Sequence, residues 1–256
     1  MANRCAANHS SAIFGGVSDA AFPLTRPSVV EALKADDSAL RQRAFGALVE
    51  AYWRPIYKYL RLRWRLLPQD AEDATQGFFG RAFEREYFAR FDAQRARFRT
   101  FLRTCVDAFA ANERQATQRL KRGGGAEHVA LDYTTAEAEL VHAEPPDDFE
   151  RFFAREWVRA IFSASVEELR ERCERQDHRV HFQIFARYDL AEGPDARNVS
   201  YAGLANELGL TTSQVTNYLA ATRREFRGIV LERVRALTAT DAEFRDEVRD
   251  LFGFDE

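Results

Sequence analysis

The chain contains little cysteine and no long apolar run. Cys5, Cys105 and Cys173 are far apart and form no Cys-x-x-Cys pair, which argues against a disulfide framework and fits a reducing compartment. No apolar stretch approaches the length of ~20 residues that crosses a bilayer. The first residues also lack the basic start and apolar core of a signal peptide. We therefore expect a soluble, cytoplasmic protein without membrane contacts.

Recognisable catalytic motifs are also missing. Asp70, Glu72 and Asp73 could bind Mg²⁺, but no phosphate-binding glycine loop accompanies them. Cys173, His178 and His181 could be metal ligands, but no fourth ligand is nearby, and we interpret them as part of a helix surface. We expect no enzymatic activity, no metal and no cofactor.

What is present is helical periodicity. From Ser28 onward apolar residues recur at spacings of three and four, with no alternation typical of strands and no internal repeat. We predict an all-α protein of two small helical domains joined by a flexible acidic linker, the second containing a helix-turn-helix. The predicted segments are a mobile start (1–24), a first domain (25–122), a linker that opens with three glycines (123–149), a second domain (150–236) and an acidic tail (237–256).

The stretch PQDAEDATQGFFGRAF (68–83) predicts a helix with one acidic side. Asp70 is expected to cap its start. At about 100° per residue, an apolar stripe of Ala71, Ala74, Phe78 and Ala82 faces away from Glu72, Asp73 and Gln76. Together with Asp70, these last three residues form what we call the acidic face, which suits a basic partner.

The next predicted helix (95–122) is basic. It has eight basic and two acidic residues between 94 and 122, an excess of six. Arginines mixed with phenylalanines suit single-stranded DNA, although a solvated face over a phenylalanine core gives the same pattern. We expect Phe101 and Phe109 in the core and Phe98, beside the helix start, to be exposed.

Near the C-terminus the sequence predicts two helices joined by a tight turn at Gly209, with Ser200 capping the first and Thr211 or Thr212 the second. An ordinary helical hairpin is the alternative to a DNA-binding unit. In a DNA-binding unit, Arg223 and Arg224 would contact phosphates. Short polar residues at the start of the second helix would contact base edges, and we call them the base-reading set: Thr212, Ser213, Gln214, Thr216 and Asn217.

The order of these features resembles a bacterial sigma factor of the extracytoplasmic-function type, in the sigma-70 superfamily. The resemblance runs from about Phe22 to Arg235 and is strongest in DAEDATQGFFGRAF and FRTFLRTCVDAFAANERQATQRLKRGGG. The latter, with AYWRPIYKYL upstream, is similar to the subgroup often encoded beside serine/threonine kinases.

The resemblance implies two partners, core RNA polymerase (the β′ coiled coil and the β subunit) and promoter DNA. The first domain would be sigma domain 2, with the acidic face docking on the β′ coiled coil. The second would be sigma domain 4, with the base-reading set, Arg223 and Arg224 at the −35 element. The −10 element would be read by Arg95, Arg97, Phe98, Arg99, Arg103 and Asn112. A stand-alone helix-turn-helix regulator or scaffold without polymerase function is the alternative.

Thr75 lies on the border of the acidic face by helical spacing. A phosphate there would add about −1.5 to −2 charges near a helix start. Many members of the family that the chain resembles carry Glu at the position of Gly77, so the resemblance implies a surface with one acid fewer. We therefore hypothesise that a serine/threonine kinase phosphorylates Thr75 and switches polymerase binding on. In the alternative, the methyl group packs and the hydroxyl bonds back to a backbone carbonyl.

Overall fold

A computed structural model describes residues 28–117, 131–140, 146–191 and 199–252. Within these ranges the chain is all-α, as predicted, and contains no strand. A short 3₁₀ helix (Tyr87–Arg90) accompanies the α-helices. In chain order these are α1 (Val29–Ala32), α2 (Ser38–Arg63), α3 (Pro68–Glu84), α4 (Phe98–Thr117), α5 (Tyr133–Ala138), α6 (Phe149–Arg175), α7 (Arg179–Asp189), α8 (Tyr201–Leu208), α9 (Thr212–Ala236) and α10 (Asp241–Phe252).

Contacts divide the chain into two compact units. Among the described residues, the first unit comprises 28–161 and Arg235–Glu247, and the second comprises Phe162–Val234 and 248–252. The division therefore lies inside α6, whereas the sequence predicts it in the linker at 123–149. The difference arises because the first half of α6 packs on the first unit: Phe153 and Trp157 stack near Tyr52, at ring-centroid distances of 6.5 and 6.3 Å.

Helix α2 is the centre of the first unit. It begins after Asp37, whose carboxylate accepts hydrogen bonds from the amides of Ala39 and Leu40, which is a standard N-cap. Helices α1, α3, α4 and α5 all pack against it. Its buried side includes Tyr52, Ile56 and Leu60, each no more than 1% exposed, so one continuous apolar stripe organises the unit.

An aromatic core fills the space between α2, α3 and α4. Phe98 lies 5.1 Å from Phe91 and 6.1 Å from Tyr52 between ring centroids. Phe78 lies 5.7 Å from Phe109. Edge-to-face pairs of this kind stabilise beyond the burial of area alone. Helix α3 is thereby held with its apolar side inward.

A buried lysine connects α2 to two later segments. Lys58 has a 3% exposed side chain, and its Nζ lies 2.6 Å from the carboxylate of Glu156. It also pairs with Glu139. A buried charge without a partner costs several kcal/mol by the usual scale, so this cluster ties α6 and the end of the linker to α2.

The second unit is built around the inner side of α9. Val215, Leu219 and Phe226 are at most 1% exposed. The ring of Phe226 lies 5.7 Å from that of Phe162 in α6 and 5.2 Å from that of Phe185 in α7. This packing leaves the opposite side of the start of α9 at the surface.

None of the helices in the described part of the chain is long and apolar enough to span a membrane.

Candidate protein- and nucleic-acid-binding surfaces

The acidic face lies on the solvent-facing side of the first turns of α3. Pro68 is the first helical residue and Leu67 is the N-cap, with no side-chain hydrogen bond. The expectation that Asp70 caps the helix was therefore wrong, since Pro68 starts it and Asp70 falls within the first turn. An acid there still interacts favourably with the helix dipole.

The members of the acidic face are available for a partner. Asp70 and Asp73 are exposed, and Glu72 and Gln76 are half-buried. Within the described residues, none of the three acids forms a salt bridge. Leu67, directly before the face, is 68% exposed and is the most exposed large apolar residue described. The result is a negatively charged surface with an apolar edge.

Thr75 lies on the inner side of α3 rather than at the border of the acidic face. Its side chain is fully buried, and its hydroxyl donates a 2.6 Å hydrogen bond to the carbonyl of Ala71. The predicted border position is thus wrong, because α3 turns Thr75 towards α2 together with Ala71 and Phe78. A kinase would need that hydroxyl at the surface, so the described fold does not support phosphorylation at this site.

Part of the predicted flexible linker is a helix docked beside the acidic face. In α5, the ring of Tyr133 packs against Trp53 and Tyr57, at 5.3 and 5.0 Å between centroids. Burial raises the pKa of Tyr133 to about 12; Gln76 opposes this rise, and the charges of Glu72 and Asp73 add to it. The linker therefore borders the acidic face at its described residues 131–140; the three glycines lie outside the described residues.

One ion pair and one tyrosine hydrogen bond, both to Glu137, hold α5 in place. Glu137 accepts hydrogen bonds from Arg61 at 2.5 and 2.8 Å and from the hydroxyl of Tyr57 at 2.7 Å. The hydrogen bond from Arg61 is the main reason that the pKa of Glu137 lies below its ordinary value. Sequence reasoning missed these residues because each contact joins positions more than 70 residues apart.

At the start of α4, the residues predicted to contact DNA differ in accessibility. Phe98 is fully buried among Phe91, Tyr52 and Phe101. Its predicted exposure was wrong, because Phe88 and Phe91 of the preceding segment and Tyr52 of α2 pack around its ring. Arg95 is 86% exposed and pairs only loosely with Asp92, 3.3 Å away. Further along, Asn112 is exposed.

The remaining arginines of α4 and its N-terminal flank are engaged within the first unit. Arg99 is 12% exposed, and its guanidinium lies 3.1 Å from Glu247 and stacks over Trp157 at 5.4 Å. Arg97 lies 3.8 Å from Asp246 and 3.9 Å from Glu247. Arg103 interacts with Asp107 at 3.3 Å and with Glu150 at 3.8 Å. These side chains do not present free guanidinium groups to DNA in this conformation.

The predicted pair of helices near the C-terminus has the expected local geometry. The hydroxyl of Ser200 accepts a hydrogen bond from the amide of Gly203. Gly209 ends α8 with a φ of 67°, a conformation that glycine adopts at little cost. Thr211 caps α9 by accepting from the amide of Gln214, whose side-chain carbonyl accepts from the amide of Thr211. The predicted caps and turn are confirmed.

All five members of the base-reading set are exposed at the start of α9. Two are partly committed to the helix itself: Gln214 completes the capping box, and the hydroxyl of Thr216 donates to the carbonyl of Thr212 at 2.9 Å. Ser213 and Asn217 have no such contact within the described chain and leave donors and acceptors open. The surface is polar and accessible along about one and a half turns.

The two arginines assigned to phosphates behave differently. Arg224 is exposed. Arg223 forms a bidentate pair with Asp189, at 2.6 and 2.8 Å, and lies over the ring of Tyr188. Because the Asp189 side chain is only 1% exposed, Arg223 neutralises a buried carboxylate. Arg223 thus has an intramolecular partner in this structure, and its contact with a DNA phosphate stays a prediction.

The histidines and cysteine that were weighed as metal ligands form a different arrangement. His178 stacks on His181 at 4.5 Å, and His181 stacks on Tyr218 of α9 at 4.0 Å. Cys173 is buried. Burial, and to a lesser extent His178, lowers the pKa of His181. Among the residues that the structure describes, no group of three His, Cys, Asp or Glu side chains could hold a metal ion.

Comparison with known proteins gives no match: no family model, curated protein or solved structure is significantly similar to this chain.

Proposed function

We propose that this protein is a sigma factor, which binds core RNA polymerase through the acidic face of α3 and directs it to promoters. The observation that carries the proposal is the acidic face itself. Three acids at the start of one helix have no ion-pair partner in the described chain and lie beside the exposed Leu67. A basic, partly apolar surface such as a coiled coil of the polymerase is the complementary partner.

The second support is the start of α9. A helix entering the major groove reads base edges with its leading residues, and the base-reading set is exposed at that position. In the proposed function this set contacts the −35 element, while Arg224 contacts a phosphate. At the −10 element, α4 contributes Asn112 and the segment before it contributes Arg95. Arg97 and Arg99 join them once their intramolecular partners are removed.

A stand-alone DNA-binding regulator is the second candidate. It is favoured by the contrast between α9, whose polar start is open, and α4, whose arginines are paired. A regulator of that kind would bind duplex DNA through α9 and would have no use for the acidic face. The two candidates therefore differ in whether polymerase binds.

Retention on immobilised core polymerase tests the proposal. We expect wild-type protein to be retained and Asp73→Arg to be lost, because a reversed charge at a complementary interface costs on the order of several kcal/mol. Glu84→Arg is the matched control, since Glu84 is an exposed acid in the last turn of the same helix. Equal retention of wild type and Asp73→Arg would refute docking through the acidic face.

A further inference from the structure

The tail segment (Arg235–Glu247) belongs to the first unit and carries two buried acids. Glu243 is 7% exposed and Glu247 is 2% exposed. They are four residues apart, so they lie on the same side of α10. Thr240 caps the helix by accepting a hydrogen bond from the amide of Glu243 at 3.1 Å, so Glu243 lies in the first turn of α10.

Glu243 supplies a cap that α4 lacks locally. The first amides of a helix have no partner within the helix, and the residue before Phe98 is Arg97, which offers no side-chain acceptor. The amide of Phe98 donates instead to the carboxylate of Glu243, which lies 145 residues further along the chain. The same carboxylate accepts from the amide of Ala239 at 2.8 Å.

The neighbouring acids of the tail segment cover the arginines at the start of α4. Glu247 is within 3.1 Å of Arg99 and 3.9 Å of Arg97, and Asp246 is within 3.8 Å of Arg97. A helix N-terminus flanked by two arginines is the arrangement that binds phosphate oxygens. Here carboxylate oxygens of the same chain occupy the positions that such an anion would take.

We propose that the tail segment is an autoinhibitory element that blocks the nucleic-acid surface at the start of α4. The proposal rests on the function proposed above and adds its regulation. Binding of single-stranded DNA requires that Glu243, Asp246 and Glu247 leave Arg97, Arg99 and the first amides of α4. Phe98 stays in the core throughout, so the released surface acts on phosphates rather than by stacking on bases.

The competing explanation is that the tail segment only braces the fold. The two explanations predict opposite changes in DNA affinity when the acids are neutralised. If the acids are inhibitory, neutralising them strengthens DNA binding. If they are only structural, neutralising them destabilises the unit and leaves DNA binding equal or weaker.

The test is fluorescence anisotropy of a labelled oligothymidylate with the full chain, in a salt titration without polymerase. The variant is Glu243→Gln with Glu247→Gln. Freeing two phosphate-binding cations at about 0.1 M salt predicts roughly tenfold tighter binding and a salt slope steeper by about 1.4. The matched control is Asp36→Asn with Glu84→Gln, two exposed acids with the same total charge change, for which we expect no more than about a twofold change.

Unchanged or weaker binding by a folded double variant overturns the proposal. If that variant does not fold, Asp246→Asn decides between the two explanations. The side chain of Asp246 is half-exposed and contacts that of Arg97. The Asp246→Asn variant should bind about threefold tighter, with a slope steeper by about 0.7, and an unchanged slope would overturn autoinhibition. Since no polymerase is present, failure of the sigma-factor proposal shows in the retention assay and not here.

Discussion

The start of α9 and the start of α4 were both predicted to bind DNA, and the structure leaves one open and covers the other. The base-reading set is exposed around a locally capped helix start. At α4 the cap and the partners of Arg97 and Arg99 come from the tail segment. The two helix starts therefore differ in how many of their polar side chains the rest of the chain already contacts, which the sequence of each helix alone does not show.

Of the changes that distinguish the two helix starts, replacing Phe98 should have the largest effect on stability. Truncation to Ala removes a fully buried ring and should destabilise the protein by about 3–5 kcal/mol. Urea unfolding measures this change. The control is Phe83→Ala on α3, where the side chain is 40% exposed and the loss should be clearly smaller. If Phe98→Ala destabilises the protein no more than Phe83→Ala does, Phe98 is not buried, and the start of α4 is as accessible as that of α9.

Replacing Arg223 tests whether this arginine of α9 serves mainly to pair with the buried carboxylate of Asp189. Arg223→Ala leaves the carboxylate of Asp189, 1% exposed, without its bidentate partner. Since Arg223 is itself 19% exposed, we expect about 2–3 kcal/mol of destabilisation, below the range for fully buried pairs. Thermal unfolding reports it. Wild-type stability combined with weakened DNA binding would support the phosphate role.

Asn217 and Arg224 test the open surface itself. Asn217→Ala should lose about 1–2 kcal/mol of preference at one base pair of a selected duplex site, with little change on nonspecific DNA. Arg224→Ala should weaken all duplexes alike and lower the salt slope by about 0.9. Competition binding on a randomised duplex library separates the two patterns. Identical base preferences for wild type and Asn217→Ala would contradict readout through α9.

A third region, the linker helix α5, is held on the first unit by the ion pair between Arg61 and Glu137. The pKa of Glu137 is lowered, chiefly by its hydrogen bond from Arg61. A lowered folded pKa means that the pair stabilises above the ordinary value of 4.5 and that this contribution disappears as pH falls below it. Both side chains are partly exposed, so we expect less than about 1 kcal/mol.

Unfolding of wild type and Glu137→Gln from pH 7 down to pH 3 measures this smallest effect. The two stabilities should differ at neutral pH and converge in acid. A difference that persists unchanged below the pKa would mean that the pair does not hold α5.

Contacts within one turn of helix were predictable from the sequence, and contacts between distant segments were not. Ser200, Gly209 and Thr211 act on residues three or four positions away, and residue type alone indicates such roles. Asp189 meets Arg223 across 34 residues, and Glu243 meets Phe98 across 145. The inward position of Thr75 also agrees with spacing, since it lies four residues after Ala71 and three before Phe78. The spacing of Glu243 and Glu247 was visible, but nothing in the sequence indicated what they face.

Transcription by core polymerase on fragmented genomic DNA, with 5′ ends sequenced, tests the central claim most directly. Adding this protein should create new starts that share spaced −35 and −10 motifs. Asp73→Arg should abolish those starts, while Glu84→Arg should preserve them. A set of starts identical to that of core polymerase alone would contradict the sigma-factor assignment.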